Sequence, residues 1–534
     1  MNLTGAGIKE TMAWENAGIK MPQYDVEATV KKTKENPTWV HFGTGNIFRI
    51  LLGGIADDLI AGGHMETGIT CVETFDTEII DKIYEPFDSL VLSVLLKTDG
   101  TVDKRVLASL AEALKADKPR LAEIFKNPSL QIISFTITEK GYALKDATGE
   151  YFLWINDELE NGPTVATSTI GVATGALYER YLASSHPIAL VSMDNCAHNG
   201  AVLKSAVLTF ATEWSNKGFI DAGFIEYLND ESLVSFPHTM IDKITPRPAV
   251  EIATQLAAIG LKNMTPITTK KHTFIAPFVN AEVPQYLVIE DKFPNGRPAF
   301  EKVNAGVYLT DLATVNKAEQ MKVSTCLNPL HTTLAVFGCL LGFTLIADEM
   351  KDKQLRNIIG QIGGIEGMRV VADPGIISPE AFLDEVLNVR FPNPFIPDTP
   401  QRIATDTSQK IGIRFGVTIK AYMEKYGDAK KLEAMPIVLA GWCRYLLAID
   451  DEGKSFQLSD DPMLPELVAM LSGIKVGQPE TYTGQLKPLL SNANVFGVDL
   501  YDAGIGEYVE EIFTELIEGP GAVRKTLIKY MGWF

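Results

Sequence analysis

The spacing of apolar and polar residues in the first half of the chain is typical of alternating strands and helices. From Pro37 to Asp76 the apolar run PTWVHF is followed by GTGN, by the stretch IFRILLGGIADDLIAGG and then by the run GITCVETF. This order predicts a strand, a glycine turn, a helix and a second strand, which form a βαβ unit. Apolar runs at 91–96, 130–138 and 188–193 predict further strands, and Val106–Leu114 has a helical pattern. We therefore expect a doubly wound α/β domain with a largely parallel sheet.

The second half of the chain has a different pattern. After the turn-rich segment DKFPNGRP, which begins at Asp291, long amphipathic stretches replace the short apolar runs. We therefore expect two domains, an α/β domain over residues 1–295 and a mostly α-helical domain over residues 296–534. The candidate helices of the second domain are Tyr308–Leu312, Leu330–Ile346, Leu355–Ile362, Pro379–Leu387 and Ala404–Tyr426.

Composition and charge limit the partners of this chain. Hydrophobic residues make up 46% and charged residues 22%, which is typical of a chain that folds throughout. Lys and Arg number 48 against 67 Asp and Glu, giving a net charge of −19 without any long basic tract. Nucleic acid is therefore not an expected partner. No apolar run reaches the roughly 20 residues of a membrane span and no secretory signal is present, so we also expect no membrane association.

The five cysteines lie far apart, and no two of them form a C-x-x-C pair. This distribution predicts free thiols in the reducing cytoplasm. Zinc-like spacing of His, Cys and acidic residues is also absent from the sequence, so no metal is expected.

The turn Gly43-Thr44-Gly45-Asn46 opens the first predicted helix. Unpaired N–H groups at such a helix start, together with the helix dipole, bind the pyrophosphate of a dinucleotide. Phe48 stands where the motif G-x-G-x-x-G has its third glycine, so a purely structural tight turn is the alternative interpretation.

Two acidic residues lie at the end of the second predicted strand. Glu73 and Asp76 are candidates to bind the ribose hydroxyls of an adenosine, and the sequence does not decide between them. A carboxylate at this place repels a 2′-phosphate, so the sequence favours NAD over NADP as the cofactor.

A cluster of four polar residues precedes the long apolar helix of the second domain. Glu319, Lys322, Asn328 and His331 lie within the segment EQMKVSTCLNPLH. Asn328 and His331 are three positions apart and share a face at a helix start, where Pro329 also fits. An N-capping asparagine and a buried histidine form the structural alternative.

Six strings together resemble the long-chain polyol (mannitol) dehydrogenase/reductase family, which includes mannitol 2-dehydrogenase, fructuronate reductase and tagaturonate reductase. The family combines a Rossmann-type dinucleotide-binding domain with a mostly helical C-terminal domain, which agrees with the division predicted above. The strings are HFGTGNIFR from His41, TITEKGY from Thr136, SMDNCAHNG from Ser192, FPHTMIDKITP from Phe236, EQMKVSTCLNPLH from Glu319 and DTPQRIATDTSQK from Asp398.

The resemblance implies a proton-transfer system. Lys322 matches the family's catalytic lysine, a general base in alcohol oxidation and a general acid in ketone reduction, for which its pKa must lie closer to neutrality than usual. His331 matches a residue that orients the substrate. Glu139 matches an acid that conducts protons between the lysine and solvent.

The resemblance also implies a pair of amide donors for the developing alkoxide. Asn328 matches one of them. The other is Asn195, with Asn199 as the alternative.

Three further residues match substrate-facing positions of the family. Asp242 corresponds to a residue near the nicotinamide end of the site, a surface turn being the alternative. Arg402 and Lys410 correspond to cations that face substrate hydroxyls, and they suit a substrate carboxylate. Two cations on a solvated helix face are the alternative.

One spacing departs from the family. Lys322 lies six positions before Asn328, whereas the family has a step of five. Position 323 is a valine, which transfers no protons. We therefore expect a one-residue insertion as a local bulge or turn, with the lysine retained.

The reaction implied is a metal-independent, NAD(H)-dependent interconversion of a keto-sugar acid and its aldonate, namely D-fructuronate and D-mannonate. Mannitol 2-dehydrogenase and tagaturonate reductase activities are the alternatives within the family. A nucleotide-binding sensor without turnover is the alternative outside enzymes. A small sugar acid or polyol is the expected ligand of a monomer or small homo-oligomer.

Overall fold

The computed structural model describes residues 1–146 and 148–532. It divides into two compact units, Met1–Asn316 and Lys317–Phe534. The first unit extends beyond the boundary predicted near residue 295 because the chain continues to pack on it. Phe300 is fully buried in the core of this unit, and the strand Val307–Thr310 pairs with Tyr286–Glu290.

A six-stranded parallel sheet forms the centre of the first unit. Its strands pair in the order β3-β2-β1-β4-β5-β6. The order therefore reverses between β1 and β4, which is the Rossmann arrangement whose ligands bind at the carboxyl ends of these two strands. The strands are β1 Trp39–Phe42, β2 Ile69–Val72, β3 Leu110–Leu114, β4 Ile132–Phe135, β5 Ile188–Ser192 and β6 Val234–Ser235.

Successive side chains of the central strands face opposite sides of this sheet. In β5, Ala189 and Val191 pack into one apolar cluster together with Trp39, whereas Ile188 and Leu190 pack into another. Because both faces are covered, the strands are apolar at most positions. The predicted doubly wound fold is confirmed.

Smaller sheets and the helices complete the first unit. The remaining strands are Ile19–Lys20, Val91–Leu96, Val102–Leu107 and Phe278–Glu282 in one sheet, Thr239–Asp242, Tyr286–Glu290 and Val307–Thr310 in a second, and Ile267–Thr268 and Phe274–Ile275 in a hairpin. The α-helices are Thr11–Asn16, Val26–Glu35, Gly53–Ala61, Lys118–Lys126, Thr138–Tyr142, Leu153–Asn161, Thr169–Ala183, Asn199–Asn216, Gly223–Asn229 and Val250–Ala258.

Two helices predicted from the sequence are wrong. The segment Val106–Leu114 is rich in Ala and Leu, yet it contains the end of the strand Val102–Leu107 and all of β3. The predicted helix Tyr308–Leu312 falls largely on the strand Val307–Thr310. In both places pairing with a neighbouring strand outweighs the local helix propensity, which is a weak preference.

The second unit is helical. Every residue of the helix Ala434–Tyr445 is buried, and this helix packs against Gly506–Leu516 and against Asn328–Leu341. The other α-helices are Ile346–Glu349, Lys353–Gly360, Pro379–Glu385, Pro400–Ile403, Thr407–Ile411, Val417–Tyr426, Leu464–Met470, Lys487–Leu490, Ala493–Phe496 and Ala522–Met531, and Leu312–Met321 crosses from one unit into the next.

One helical run, Leu312–Leu341, is long and apolar enough to span a membrane by length and composition. However, 83% of its most apolar 18-residue stretch is buried inside the protein. This burial is typical of a core helix.

Candidate functional site

The glycine turn follows β1 at the reversal point of the sheet. Gly43 has a φ of +102°, and a Cβ at this position would lie 2.2 Å from the Thr136 carbonyl oxygen. Only glycine fits there. A Cβ on Gly45, by contrast, would have no described atom within 4 Å. The turn thus leaves open space at the start of the helix, which suits a pyrophosphate held by backbone N–H groups.

Phe48 occupies the place of the third glycine of the motif. The residues Phe48–Leu52 form a π-helical turn, and the Phe48 ring stacks on His41 with the centroids 4.0 Å apart. The helix therefore packs on β1 through an aromatic pair at this position.

The two acidic residues after β2, Glu73 and Asp76, accept hydrogen bonds from the neighbouring loops. The Glu73 carboxylate accepts hydrogen bonds from the Thr44 hydroxyl and from the N–H groups of Phe75 (2.8 Å) and Asp76 (3.0 Å). The Asp76 carboxylate accepts from the Thr269 hydroxyl at 2.6 Å. Glu73 therefore links the loop after β2 to the glycine turn.

Asp194 connects the loops that follow β4 and β5. Its carboxylate accepts from the N–H groups of Ile137 (2.8 Å) and Thr138 (3.1 Å) and from the Tyr142 hydroxyl (2.8 Å). Burial raises the pKa of this carboxyl, and the three hydrogen bonds oppose that shift. Glu139, which follows Thr138 in the chain, is exposed.

The two candidate asparagines after β5 differ in their surroundings. Asn195 is exposed. Asn199 is only 1% exposed, and its Nδ2 donates to the carbonyl oxygens of Asp194 (3.1 Å) and Thr239 (3.0 Å) and to the Thr239 hydroxyl (2.9 Å). Its Oδ1 accepts from the Thr239 N–H at 3.0 Å. The Asn199 amide therefore joins the helix Asn199–Asn216 to a neighbouring strand.

Asp242 is buried at the end of an edge strand. It is the last residue of the strand Thr239–Asp242, is 3% exposed and pairs in register with Tyr286. The surface turn considered for it is therefore wrong. The next residue, Lys243, is also buried and donates from Nζ to the Glu282 carbonyl oxygen at 2.5 Å.

Lys322 begins a π-helical turn in the second unit. The turn spans Lys322–Cys326, and the Leu327 N–H donates to the Lys322 carbonyl oxygen at 3.1 Å. A π-turn holds one residue more than an α-helical turn, which accounts for the six-residue step to Asn328. The Thr418 hydroxyl, from another helix, donates to the Ser324 carbonyl oxygen inside the turn at 3.0 Å.

Asn328 and His331 open the next helix, Asn328–Leu341, with Pro329 in its first turn. Asn328 is partly exposed. Its side-chain amide makes no hydrogen bond with the described part of the chain, so both N–H groups are available to a ligand.

Asp398 joins His331 to Arg402. The Asp398 Oδ2 lies 2.9 Å from the His331 Nε2, a close contact that is not aligned as a hydrogen bond. The Arg402 Nε donates to Asp398 Oδ1 at 3.0 Å, and a second nitrogen of this guanidinium donates to the same oxygen. Burial raises the pKa of Asp398, but His331 and Arg402 outweigh that effect and hold it below its usual value.

Further basic side chains lie around the contact between Asp398 and His331. Lys410 donates to the Thr405 carbonyl oxygen at 2.6 Å, and burial together with the charge of Arg414 lowers its pKa. Burial also lowers the pKa of Arg414, to about 10. Burial lowers the pKa of His331; Asp398 opposes this shift, and the charges of Arg414 and Arg402 add to it. The four groups are therefore electrostatically coupled in one basic cluster, formed by His331, Arg402, Lys410 and Arg414.

Sequence reasoning missed Asp194, Asp398 and Arg414. Asp194 precedes Asn195 in the matched string, but its partners are in another string. Asp398 is the first residue of a matched string and lies four positions before Arg402, a helical spacing that favours an ion pair. Arg414 follows Lys410 by four positions, a spacing that places these two cations on one helix face.

Two family models match most of the chain. The mannitol dehydrogenase Rossmann domain matches residues 37–302, and the mannitol dehydrogenase C-terminal domain matches residues 314–517. The chain belongs to the mannitol dehydrogenase family. The resemblance seen in the sequence is confirmed, and the chain is a dehydrogenase of secondary alcohols.

Relatives in the mannitol dehydrogenase family match over the whole chain. A D-mannonate oxidoreductase of Thermotoga maritima is 51% identical, covering 100% of this chain and 99% of its own. A mannitol 2-dehydrogenase of Aspergillus clavatus is 29% identical, covering 99% of each. Among solved structures, the mannitol 2-dehydrogenase of Pseudomonas fluorescens in ternary complex with NAD and D-mannitol superposes with a TM-score of 0.74 at 25% identity, covering 100% of both chains.

Proposed function

We propose that this enzyme interconverts D-fructuronate and D-mannonate with NADH and NAD. The relative named D-mannonate oxidoreductase is much more similar, at 51% identity, than the mannitol 2-dehydrogenase at 29%. The structural observation that carries the choice of an acidic substrate is the basic cluster. Its Arg and Lys side chains suit a ligand that brings a carboxylate, although Asp398, Asp406 and Asp461 lie among them.

In the proposed reaction, bound NADH supplies the hydride that reduces the ketone. Lys322 gives a proton to the developing alkoxide and takes one from the alcohol in the reverse direction. Asn328 and Asn195 donate N–H groups to that oxygen. His331, placed by Asp398, orients the substrate, and the exposed Glu139 exchanges protons with solvent.

The open space at Gly45, and the Glu73 carboxylate that links the loop after β2 to the glycine turn, support a dinucleotide held at the carboxyl ends of β1 and β2. The proposed enzyme works in the cytoplasm in hexuronate breakdown, as a monomer or small homo-oligomer. It needs no metal, because Lys322 supplies the proton transfer.

Asn199→Ala is expected to reduce the stability of the fold, whereas Asn195→Ala is expected to reduce the rate of the reaction. Loss of Asn199 leaves the buried Thr239 N–H without its acceptor, which should lower the free energy of unfolding by about 1–3 kcal/mol. Asn195→Ala changes an exposed side chain, so it should cost less stability than Asn199→Ala and should lower kcat. Urea denaturation and steady-state rates at a temperature where both variants are folded measure the two effects. A normal kcat in Asn195→Ala would remove Asn195 from the proposed donors.

The acidic substrate is tested by charge removal in the basic cluster. Arg402→Gln or Lys410→Gln should lower kcat/KM for fructuronate by about tenfold to a hundredfold, the cost of a lost charge-assisted hydrogen bond. Fructose lacks the carboxylate and should lose less. The matched control is Lys420→Gln, which removes an exposed lysine on the following helix. It should leave kcat/KM for both substrates unchanged.

Equal losses on fructuronate and fructose would mean that these cations hold hydroxyl groups. The activity would then be that of a mannitol 2-dehydrogenase. Tagaturonate, assayed beside fructuronate, distinguishes between the two keto-acids.

A further inference from the structure

The loop after β2 exposes an aromatic ring where an adenosine would lie. Phe75 is 67% exposed, although large aromatic side chains are highly buried on average. In Rossmann-type domains the end of the second strand faces the ribose of the adenosine half of the dinucleotide. Phe75 therefore has the position expected of a residue that contacts this half.

A β-hairpin turn from far along the chain is docked on this loop. In the hairpin 267–275, the Thr269 hydroxyl donates to the Asp76 carboxylate at 2.6 Å. The Lys270 N–H donates to the Glu78 carboxylate at 2.7 Å. The hairpin turn and the loop thus form one continuous surface.

Lys271 of this turn places a cation beside the Phe75 ring. Its Nζ donates to the Phe75 carbonyl oxygen at 2.7 Å and lies 4.1 Å from the ring centroid. Glu73 and Asp76 are only 7% and 3% exposed, and their carboxylates are bonded to hydroxyl and N–H groups of the protein. The accessible charge next to the ring is therefore positive.

We propose that Phe75 and Lys271 form the adenosine-binding surface of this enzyme. Phe75 stacks on the adenine base, and Lys271 faces the 2′ position of the ribose. Because a cation there attracts a 2′-phosphate, Lys271 is a specificity-determining residue that relaxes the preference for NAD expected from Glu73 and Asp76. This inference rests on the cofactor of the proposed function and assigns the residues that bind its adenosine end.

Nucleotide affinities measured without any sugar test the role of Lys271. Calorimetric titration with 5′-AMP and with 2′,5′-ADP should show that Lys271→Gln weakens 2′,5′-ADP roughly threefold to tenfold, the loss of one exposed charge contact to phosphate. The affinity for 5′-AMP should stay within about twofold, because it has no 2′-phosphate. Lys271→Arg, which keeps the charge, should retain the wild-type affinities.

Lys270→Gln is the matched control, since Lys270 is the adjacent exposed lysine. The same loss of 2′,5′-ADP affinity in this variant, or an equal loss for both nucleotides in Lys271→Gln, would overturn the assignment of Lys271.

A second pair of variants tests the stacking role of Phe75. Phe75→Leu keeps an apolar side chain but removes the aromatic plane, and should weaken both nucleotides by roughly tenfold. Phe75→Tyr should retain both affinities. Unchanged affinities in Phe75→Leu would overturn the stacking role. Failure of the proposed function shows separately, because the wild-type chain would then bind NADH without turning over fructuronate.

Discussion

Lys322→Ala is expected to abolish most turnover while the enzyme still binds NADH. General acid–base catalysis by a positioned side chain contributes on the order of 10²–10⁴ in rate, so kcat for fructuronate reduction should fall by about that factor. The affinity for NADH should remain within about twofold of wild type, because the glycine turn and the loop after β2 are unchanged. Steady-state rates and a fluorescence titration with NADH measure the two quantities.

The control for this variant is Lys317→Ala, an exposed lysine on the same helix. Lys317→Ala should leave kcat unchanged. A large loss of kcat in Lys322→Ala alone would then show that proton transfer by Lys322, and not the removal of a positive charge in general, is responsible. Unchanged turnover in Lys322→Ala would mean that another group transfers the proton, and Glu139 would be the next candidate.

The π-helical turn shows why the sequence alone gave an ambiguous spacing here. A six-residue step between Lys322 and Asn328 fits either an inserted residue or a displaced base. The turn closed by the backbone hydrogen bond from Leu327 to Lys322 also contacts Thr418, a residue far along the chain. The interpretation of an inserted residue was available from the spacing, but its geometry was not.

Predictability from sequence depended on how local each interaction is. The strands around the glycine turn were predicted correctly because their apolar runs are continuous and their turn residues are distinctive. The segment Val106–Leu114 was predicted wrongly because its helix propensity is local, whereas β3 is stabilised by pairing with β2. The domain boundary was placed early because the pairing of Val307–Thr310 leaves no sign in the local composition.

The same reasoning explains which site residues were found. Matched strings indicated single candidate residues, such as Lys322 and Asn328. The strings could not show that the Asn199 side-chain amide is hydrogen-bonded to Thr239. Nor could they show that Asp398 contacts His331, because the partners in both contacts are far apart in the chain. The sequence therefore favoured Asn195 as the second donor and left Asn199 as the alternative.

Asn328→Ala should lower kcat by about 10²–10³ with little change in KM, because deleting one oxyanion donor has an effect of this size. The side chain makes no hydrogen bond with the described part of the protein, so its removal should cost little stability. The main-chain carbonyl of Asn328, which accepts from the Thr332 hydroxyl at 3.0 Å, is kept in the variant. Thermal unfolding should therefore give a Tm close to that of wild type.

Asn328→Asp is the sharper variant for the same residue. Aspartate has nearly the same shape, but it replaces two N–H donors by a negative charge next to the developing alkoxide. Its kcat should therefore be at least as low as that of Asn328→Ala, whereas a residue that only fills space would tolerate aspartate better than alanine. A change confined to KM in both variants would make Asn328 a binding residue, and the stabilisation of the alkoxide would then depend on Asn195 alone.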